Sequence, residues 1–149
     1  MLAPAYHRGY VLDASVAAKW FVSQEEEDRD RAIAMRARHV AGECQLILPE
    51  FALLEIVNAI RYSPRAKEAD GATAVELLRD LHLEIRPLSW DLLRKANAIA
   101  WAYKIAVYDA AYVALAESVG FPLLTADEAL LKKMKGHSIV VQLKEMEWS

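Results

Sequence analysis

The sequence predicts an α/β fold in which helices cover both faces of a parallel sheet. Short runs of aliphatic residues alternate along the chain with longer segments of helical periodicity. The 149 residues are 55% hydrophobic, so the chain can bury a core without cross-links. It contains no linker, internal repeat or low-complexity stretch. We therefore expect residues 1–149 to form a single domain, with residues 1–8 as a loose N-terminal tail.

The aliphatic runs and the periodic segments define the expected elements. The predicted strands are the aliphatic runs at 10–13, 45–48, 122–125 and 138–143, with a further strand inside 83–88. The predicted helices are the periodic segments at 14–22, 25–41, 49–62, 67–81, 90–103, 108–119 and 126–135.

Several helix ends carry recognisable signals. Pro49 suits a first helical residue, because its missing N–H has no helical partner there. Ser89 is expected to cap the helix that follows it, and Gly120 to close the helix before it. Thr125 and Glu128 have the spacing of a capping box, which predicts that the neighbouring Asp127 is not needed as a cap.

Charge and cysteine content exclude several classes of protein. Lysine and arginine number 18 against 21 aspartates and glutamates, and this net charge of −3 argues against nucleic-acid binding through a large basic surface. The single cysteine, Cys44, excludes an intramolecular disulfide and favours a cytoplasmic location. We expect no membrane association, because the chain starts without an apolar signal segment and its most apolar stretch, 96–116, contains Lys104 and Asp109.

Three aspartates lie where ligands bind in an open α/β sheet, near the carboxyl ends of strands. Asp13 ends the first predicted strand, Asp127 follows the fourth, and Asp109 opens the helix before the fourth. Any one of them could instead be an ordinary helix cap, since aspartate favours helix N-termini.

Glu55 is more informative, because it lies within a helix among small or apolar neighbours. The residues three and four positions away are Phe51, Ala52, Asn58 and Ala59. A carboxylate on such a surface faces a cleft, where an unpaired charge is costly unless a cation, a proton or a donor compensates it. A salt bridge to a distant basic residue and an exposed position on the helix are the alternative explanations. A site of aspartates and glutamates suits Mg²⁺ or Mn²⁺ rather than zinc.

Three segments resemble the PIN-domain family, and VapC-like toxins in particular. They read YVLDASVAAKWFV from Tyr10, PEFALLEIVNAI from Pro49 and YDAAYVALAESVGFPLLTADEAL from Tyr108. Their order and spacing agree with the family over nearly the whole chain, from Tyr10 to about Val141.

The resemblance implies a PIN-like three-layer α/β/α sandwich with a five-stranded parallel sheet, and a metal-dependent endoribonuclease that uses Mg²⁺ or Mn²⁺. The implied catalytic and metal-binding residues are the four that fall on the family's acidic positions: Asp13, Glu55, Asp109 and Asp127. Ser15 and Thr125 fall on small hydroxyl positions and are expected to orient the carboxylates. Four clustered carboxylates repel one another, so at least one should have a raised pKa without metal.

The resemblance also implies partners: an RNA substrate, a second copy in a homodimer, and a VapB-like antitoxin that holds the toxin inactive. Helices 25–41 and 49–62 are candidates for the antitoxin groove. Two other functions stay open, a PIN-domain nuclease of rRNA or tRNA maturation and a catalytically silent PIN interaction module. Metal-assisted hydrolysis of DNA or of phosphate esters is a third alternative.

The sequence identifies the residues that bind RNA less clearly than the carboxylates. The basic candidates are Lys19, Arg61, Arg65, Lys67 and Lys104, each of which could simply be a solvated surface charge. The aromatic candidates for base stacking are Trp101, Tyr103, Tyr108 and Tyr112, for which core or interface packing is the preferred interpretation.

Overall fold

The computed structural model describes residues 8–21 and 28–146. Within them a single sheet contains the strands β1 (Gly9–Leu12), β2 (Gln45–Pro49), β3 (Glu84–Arg86), β4 (Leu123–Thr125) and β5 (Val140–Gln142). All neighbouring strands are parallel, and their order in space is β3-β2-β1-β4-β5. The predicted five-stranded parallel sheet is therefore confirmed.

Helices connect the strands, as predicted. In the described ranges they are α1 (Ala14–Ala17), α2 (Arg29–Val40), α3 (Glu50–Arg61), α4 (Glu68–Asp80), α5 (Trp90–Tyr103), α6 (Val107–Val119) and α7 (Glu128–Lys133). The first predicted helix is shorter than expected, because α1 tightens into a 3₁₀ turn that ends at Trp20. Residues 22–27, where the sequence places the end of one helix and the start of the next, lie outside the described residues.

Both faces of the sheet are covered. Val11 and Leu12 are adjacent in β1 and fully buried, and Ile47 and Leu48 in β2 are at most 1% exposed. Successive side chains of a strand point to opposite faces. Full burial of adjacent residues therefore requires helices on both sides, as in other parallel sheets.

The order of the strands creates a switch point at the centre of the sheet. From β1 the chain builds outward through β2 and β3, then returns to place β4 on the other side of β1. The two central strands end together, since the backbone N–H of Asp13 donates to the carbonyl of Leu124 at 3.0 Å. A crevice beyond the carboxyl ends of strands at such a point is the usual ligand site of open α/β sheets.

Helix α6 is the most deeply buried helical element in the described part of the chain. Every residue from Ala110 to Ala116 is buried, and the helix packs on α5 and on the central strands. Its C-terminus is closed by Gly120 at φ 74°, as predicted, and the cap of Ser89 on α5 is also present, with the Leu92 N–H donating to the Ser89 hydroxyl at 3.0 Å. This packing gives the first turn of α6 a fixed position at the switch point.

No single helix among the described residues has the length and apolarity to cross a bilayer. Helices α5 and α6 together have the required length and apolarity, but the chain bends by 115° between them. Of the predicted N-terminal tail, residues 1–7 lie outside the described residues, and the carbonyl of Arg8 accepts a hydrogen bond from the Gln45 N–H at 3.0 Å.

Gly9 at the start of β1 lies close to the ring of Phe121, and it allows a paired test. A Cβ at Gly9 would lie 2.6 Å from the Phe121 ring, whereas a Cβ at Gly71 in α4 would meet nothing within 4 Å. We expect G9A to lower the free energy of unfolding by about 1–3 kcal/mol through overpacking. The control G71A should raise it by about 0.5–1 kcal/mol, because alanine favours the helix. Urea denaturation measures both, and equal effects would contradict the predicted contact.

Candidate active site

Asp13 lies at the end of β1 and is the most buried of the predicted acidic residues, with 6% of its surface exposed. Its Oδ2 accepts a hydrogen bond from the Thr125 hydroxyl at 2.7 Å and another from the Ser15 hydroxyl at 2.9 Å. These two donors hold the carboxylate in one orientation at the switch point. Orienting a carboxylate is the role that the family resemblance implies for Ser15 and Thr125.

The same hydroxyls join the ends of the two central strands. The Ser15 Oγ accepts from the Ala126 N–H at 3.1 Å, and the Thr125 Oγ1 accepts from the Asp127 N–H at 3.0 Å. Each hydroxyl therefore donates to Asp13 and accepts from the backbone that follows β4. The position of the carboxylate depends on the pairing of β1 with β4.

Asp127 caps α7, and the predicted capping box is wrong. Its Oδ1 accepts from the N–H groups of Ala129 and Leu130 at 3.0 and 3.2 Å, and the helix begins at Glu128 rather than at 126. Thr125 cannot serve as the cap, because it is the last residue of β4, fully buried, with its hydroxyl donating to Asp13. The cap fixes one oxygen of Asp127 beside the site.

Glu55 is half-buried on α3 and is tied to the site by Tyr112. The Tyr112 hydroxyl donates to Glu55 Oε1 at 3.4 Å and accepts from the Ala14 N–H at 3.3 Å. Tyr112 is fully buried, so the preferred interpretation of core packing is right for its ring. The sequence analysis missed the role of its hydroxyl. The available signal was its position three residues after Asp109, on the same helix face.

Asp109 lies in the first turn of α6 and is half-buried. Its charge interacts with those of Asp13 and Asp127, and that of Glu55 interacts with Asp13 and Asp109. The structure thus brings the four predicted carboxylates into one electrostatic neighbourhood. Lys133 of α7 offsets part of the repulsion at Asp109.

Burial and mutual repulsion raise the pKa values of three of these carboxyl groups. Burial is the main cause at Asp13, where the two hydroxyl donors oppose it and the charge of Asp127 adds to it. Burial, followed by the charges of Asp13 and Asp109, raises the pKa of Glu55 to about 7. The pKa of Asp109 is also raised by burial and by its acidic neighbours. The predicted raised pKa is therefore present, most clearly at Glu55.

The donor set fits a hard divalent cation in type and charge. Carboxylate oxygens are the ligands that Mg²⁺ and Mn²⁺ prefer, and a cation would relieve the repulsion among them. Among residues 8–21 and 28–146, no three histidine, cysteine, aspartate or glutamate side chains are placed together so that they could hold one metal ion. Mg²⁺ takes part of its coordination from waters and substrate phosphates, so it does not require three preassembled protein ligands.

The basic candidates are spread over the surface rather than gathered at the carboxylates. Arg61 and Lys67 line a groove between α3 and α4, and Arg65 lies in the turn between those helices. Lys19 is half-buried in the 3₁₀ turn after α1. Lys104 caps α5, and its carbonyl accepts from the Lys133 ammonium at 3.2 Å, which brings these two residues together beside α6.

The aromatic candidates divide into buried and exposed residues. Tyr103 is half-buried and lies against the ring of His137. Trp101 and Tyr108 are 80% and 70% exposed, so they do not pack in the core, and packing at an interface stays a prediction for both. Tyr108 directly precedes Asp109 in the first turn of α6, which places an exposed aromatic ring at the rim of the acidic site.

The raised pKa of Glu55 predicts pH-dependent stability of the metal-free protein. The folded state binds the proton more tightly than the unfolded state, where the pKa is near 4.5. This contribution is fully present below that value and is lost as the pH rises through about 7. We expect the melting temperature in EDTA to fall between about pH 5 and about pH 8, and to fall less for E55Q.

Differential scanning fluorimetry measures this slope. The control E76Q changes an exposed glutamate of α4 and should retain the wild-type slope. Equal slopes for E55Q and the wild type would contradict the assignment of the raised pKa to Glu55.

Two curated relatives are similar over most of the chain. Ribonuclease VapC3 of Pyrobaculum aerophilum is 33% identical over 127 residues, which cover 83% of this chain and 92% of that protein. Ribonuclease VapC12 of Mycobacterium tuberculosis is 32% identical over 137 residues, which cover 89% of this chain and 97% of that protein.

Solved structures share the fold. A crystal structure of a protein from Pyrobaculum aerophilum matches with a TM-score of 0.61 at 26% identity, covering 92% of this chain and 90% of that one. A toxin–antitoxin complex from Klebsiella pneumoniae matches with a TM-score of 0.68 at 17% identity, covering 92% and 99%. The second likeness concerns the fold alone.

The family model described as "PIN domain" matches residues 10–136, which include all four predicted carboxylates. The family match, the relatives and the five-stranded parallel sheet agree with one another. The chain belongs to the PIN-domain family.

Proposed function

We propose that this protein is a metal-dependent endoribonuclease that acts as the toxin of a VapBC-like toxin–antitoxin pair. The observation that carries the proposal is the buried Asp13 at the switch point, electrostatically coupled to three further carboxylates. Relatives at 33% and 32% identity are named ribonucleases. We expect the protein in the reducing cytoplasm, where RNA is an available substrate.

Asp13, Asp109 and Asp127 would hold Mg²⁺ or Mn²⁺. The bound ion would acidify a coordinated water and neutralise the negative charge that builds up on the phosphate oxygens. Asp13 is the central residue, because its orientation is fixed by Ser15 and Thr125. Asp127 presents its remaining oxygen while the other caps α7.

Glu55 is the proposed proton acceptor for the attacking water. Glu55 is half-buried and lies within electrostatic reach of Asp13 and Asp109, so its carboxylate is placed to accept a proton from a water held among these residues. The Tyr112 hydroxyl donates to Glu55 Oε1, which leaves Oε2 for the proton. Tyr112 thereby acts as a positioning residue, and its own pKa is raised far above the ordinary value by burial and by the charges of Asp13 and Glu55.

Removing one charge at the centre of the site should abolish cleavage and leave the fold intact. We expect D13N to lower the rate of RNA cleavage at least about a hundredfold, because it removes the central carboxylate. Its melting temperature in EDTA should not fall, because burial opposes the charge of Asp13. Cleavage of labelled RNA with mapping of the cut ends, together with scanning fluorimetry, measures both.

The control is D80N, which changes an exposed aspartate at the end of α4 and should cleave like the wild type. EDTA should abolish wild-type cleavage, and Mg²⁺ or Mn²⁺ should restore it. Full activity of D13N, or undiminished cleavage in EDTA, would contradict the proposal. Cleavage of DNA in preference to RNA would favour a deoxyribonuclease on the same site.

The proposed partners are a VapB-like antitoxin and a second copy of the chain. Solved structures with this fold include a toxin–antitoxin complex from Klebsiella pneumoniae and VapBC from Salmonella typhimurium bound to DNA. We expect the product of an adjacent small gene to co-purify with this protein and to inhibit its RNA cleavage. Size-exclusion chromatography with light scattering gives the stoichiometry. Undiminished cleavage in the co-purified complex would favour an RNA-maturation nuclease over a toxin.

A further inference from the structure

Tyr108 is an aromatic side chain that the proposed mechanism does not use. It is 70% exposed, yet it is adjacent in sequence to Asp109 and shares the first turn of α6 with it. Isolated exposed apolar residues are common and need no explanation. This one is distinguished by its place at the rim of the acidic site and by the contacts that hold it there.

The ring of Tyr108 is held by an aromatic chain that leads into the site. Phe51 of α3 contacts Tyr108 with a centroid distance of 6.2 Å and an interplanar angle of 75°. Phe51 also contacts Tyr112 at 5.2 Å and 76°, and Tyr112 donates to Glu55. The rings of Phe51 and Tyr108 are nearly perpendicular, so Phe51 can cover at most one face of Tyr108. The ring is therefore supported on one side and open to solvent on the other.

A cation lies within electrostatic reach of Asp109, the residue next to Tyr108. This cation is Lys133, whose ammonium also donates to the carbonyl of Lys104. Proteins bind single-stranded nucleic acid with aromatic rings that stack on bases and with nearby cations that attract phosphates. A net acidic chain depends on such local features to hold RNA.

We propose that Tyr108 stacks on a nucleobase of single-stranded RNA that flanks the scissile phosphate. The inference rests on the proposed ribonuclease function and adds a substrate-positioning residue to it. It also requires an unpaired base at the cut, because a base within a duplex has no free face for the ring. Contacts through Phe51 and Tyr112 connect the ring to Glu55, so a base stacked on Tyr108 would bring the neighbouring phosphate toward the carboxylates.

The test measures RNA binding and cleavage separately. Binding of a short single-stranded RNA that contains the mapped cut is followed by fluorescence anisotropy on a D13N background with Mg²⁺. Cleavage is followed in the otherwise wild-type chain as kcat and KM. The variants are Y108A, Y108L, Y108F and Y108W. The matched control is Y62A, because Tyr62 is a tyrosine of similar exposure, 76%, at the end of α3.

We expect Y108A and Y108L to raise the Kd for RNA about five- to tenfold or more, which is the usual effect of losing one stacked base. Y108F and Y108W should bind within about twofold of the wild type, because the ring and not the hydroxyl makes the contact. Y62A should bind normally. An RNA with an abasic nucleotide beside the cut should bind wild type and Y108A equally, since the stacking partner is missing.

Equal binding by Y108A and the wild type, or a loss in Y108F as large as in Y108A, would overturn the inference. So would a Y108A defect of the same size on intact and abasic RNA. If Y108A changed only the oligomeric state or antitoxin binding, the ring would be a protein contact and the inference wrong. These results leave the ribonuclease proposal standing. Failure of the wild type to cleave any RNA would overturn that proposal and the inference with it.

Discussion

The buried negative charge of Asp13 is the constraint on which the rest of the site depends. Taking a carboxylate out of water costs several kcal/mol unless donors or cations compensate it. Ser15 and Thr125 supply two donors, and burial still raises the pKa of the group. The negative charges of the neighbouring carboxylates make the ionised form of the group still less favourable. Without a cation the negative charge of the site is poorly compensated, and the site is therefore suited to bind one.

The sheet topology determines which side chains surround Asp13. The hydroxyl of Thr125 reaches Asp13 because β4 pairs with β1, although the two residues are 112 positions apart in the chain. The same junction supplies the backbone donors that Ser15 and Thr125 accept from. The geometry of the carboxylate is therefore a consequence of strand pairing.

Helix α6 links the stability of the core to the site. Its buried residues 110–116 fix the helix, and its first turn carries Asp109 and Tyr108 at the rim. Tyr112 belongs to both parts, because its ring is fully buried while its hydroxyl bridges Glu55 and the backbone of Ala14. Rigid elements of this kind hold reactive groups more accurately than loops. The ring of Tyr108 contacts this framework through Phe51.

The sequence by itself determined the alternation of strands and helices, the caps at Ser89 and Gly120, and, through the family resemblance, the four carboxylates. The alternation and the caps are local or repeat at fixed spacing, so they can be seen without the fold, whereas the four carboxylates were predicted from the motifs of a family. The tertiary structure decided that Asp127 caps α7 in place of Thr125, that the Tyr112 hydroxyl reaches Glu55, and that Tyr108 stays exposed. Each of these depends on which distant segments become neighbours. Side-chain burial and hydrogen-bond partners follow from that assembly, and helical period or spacing does not encode them.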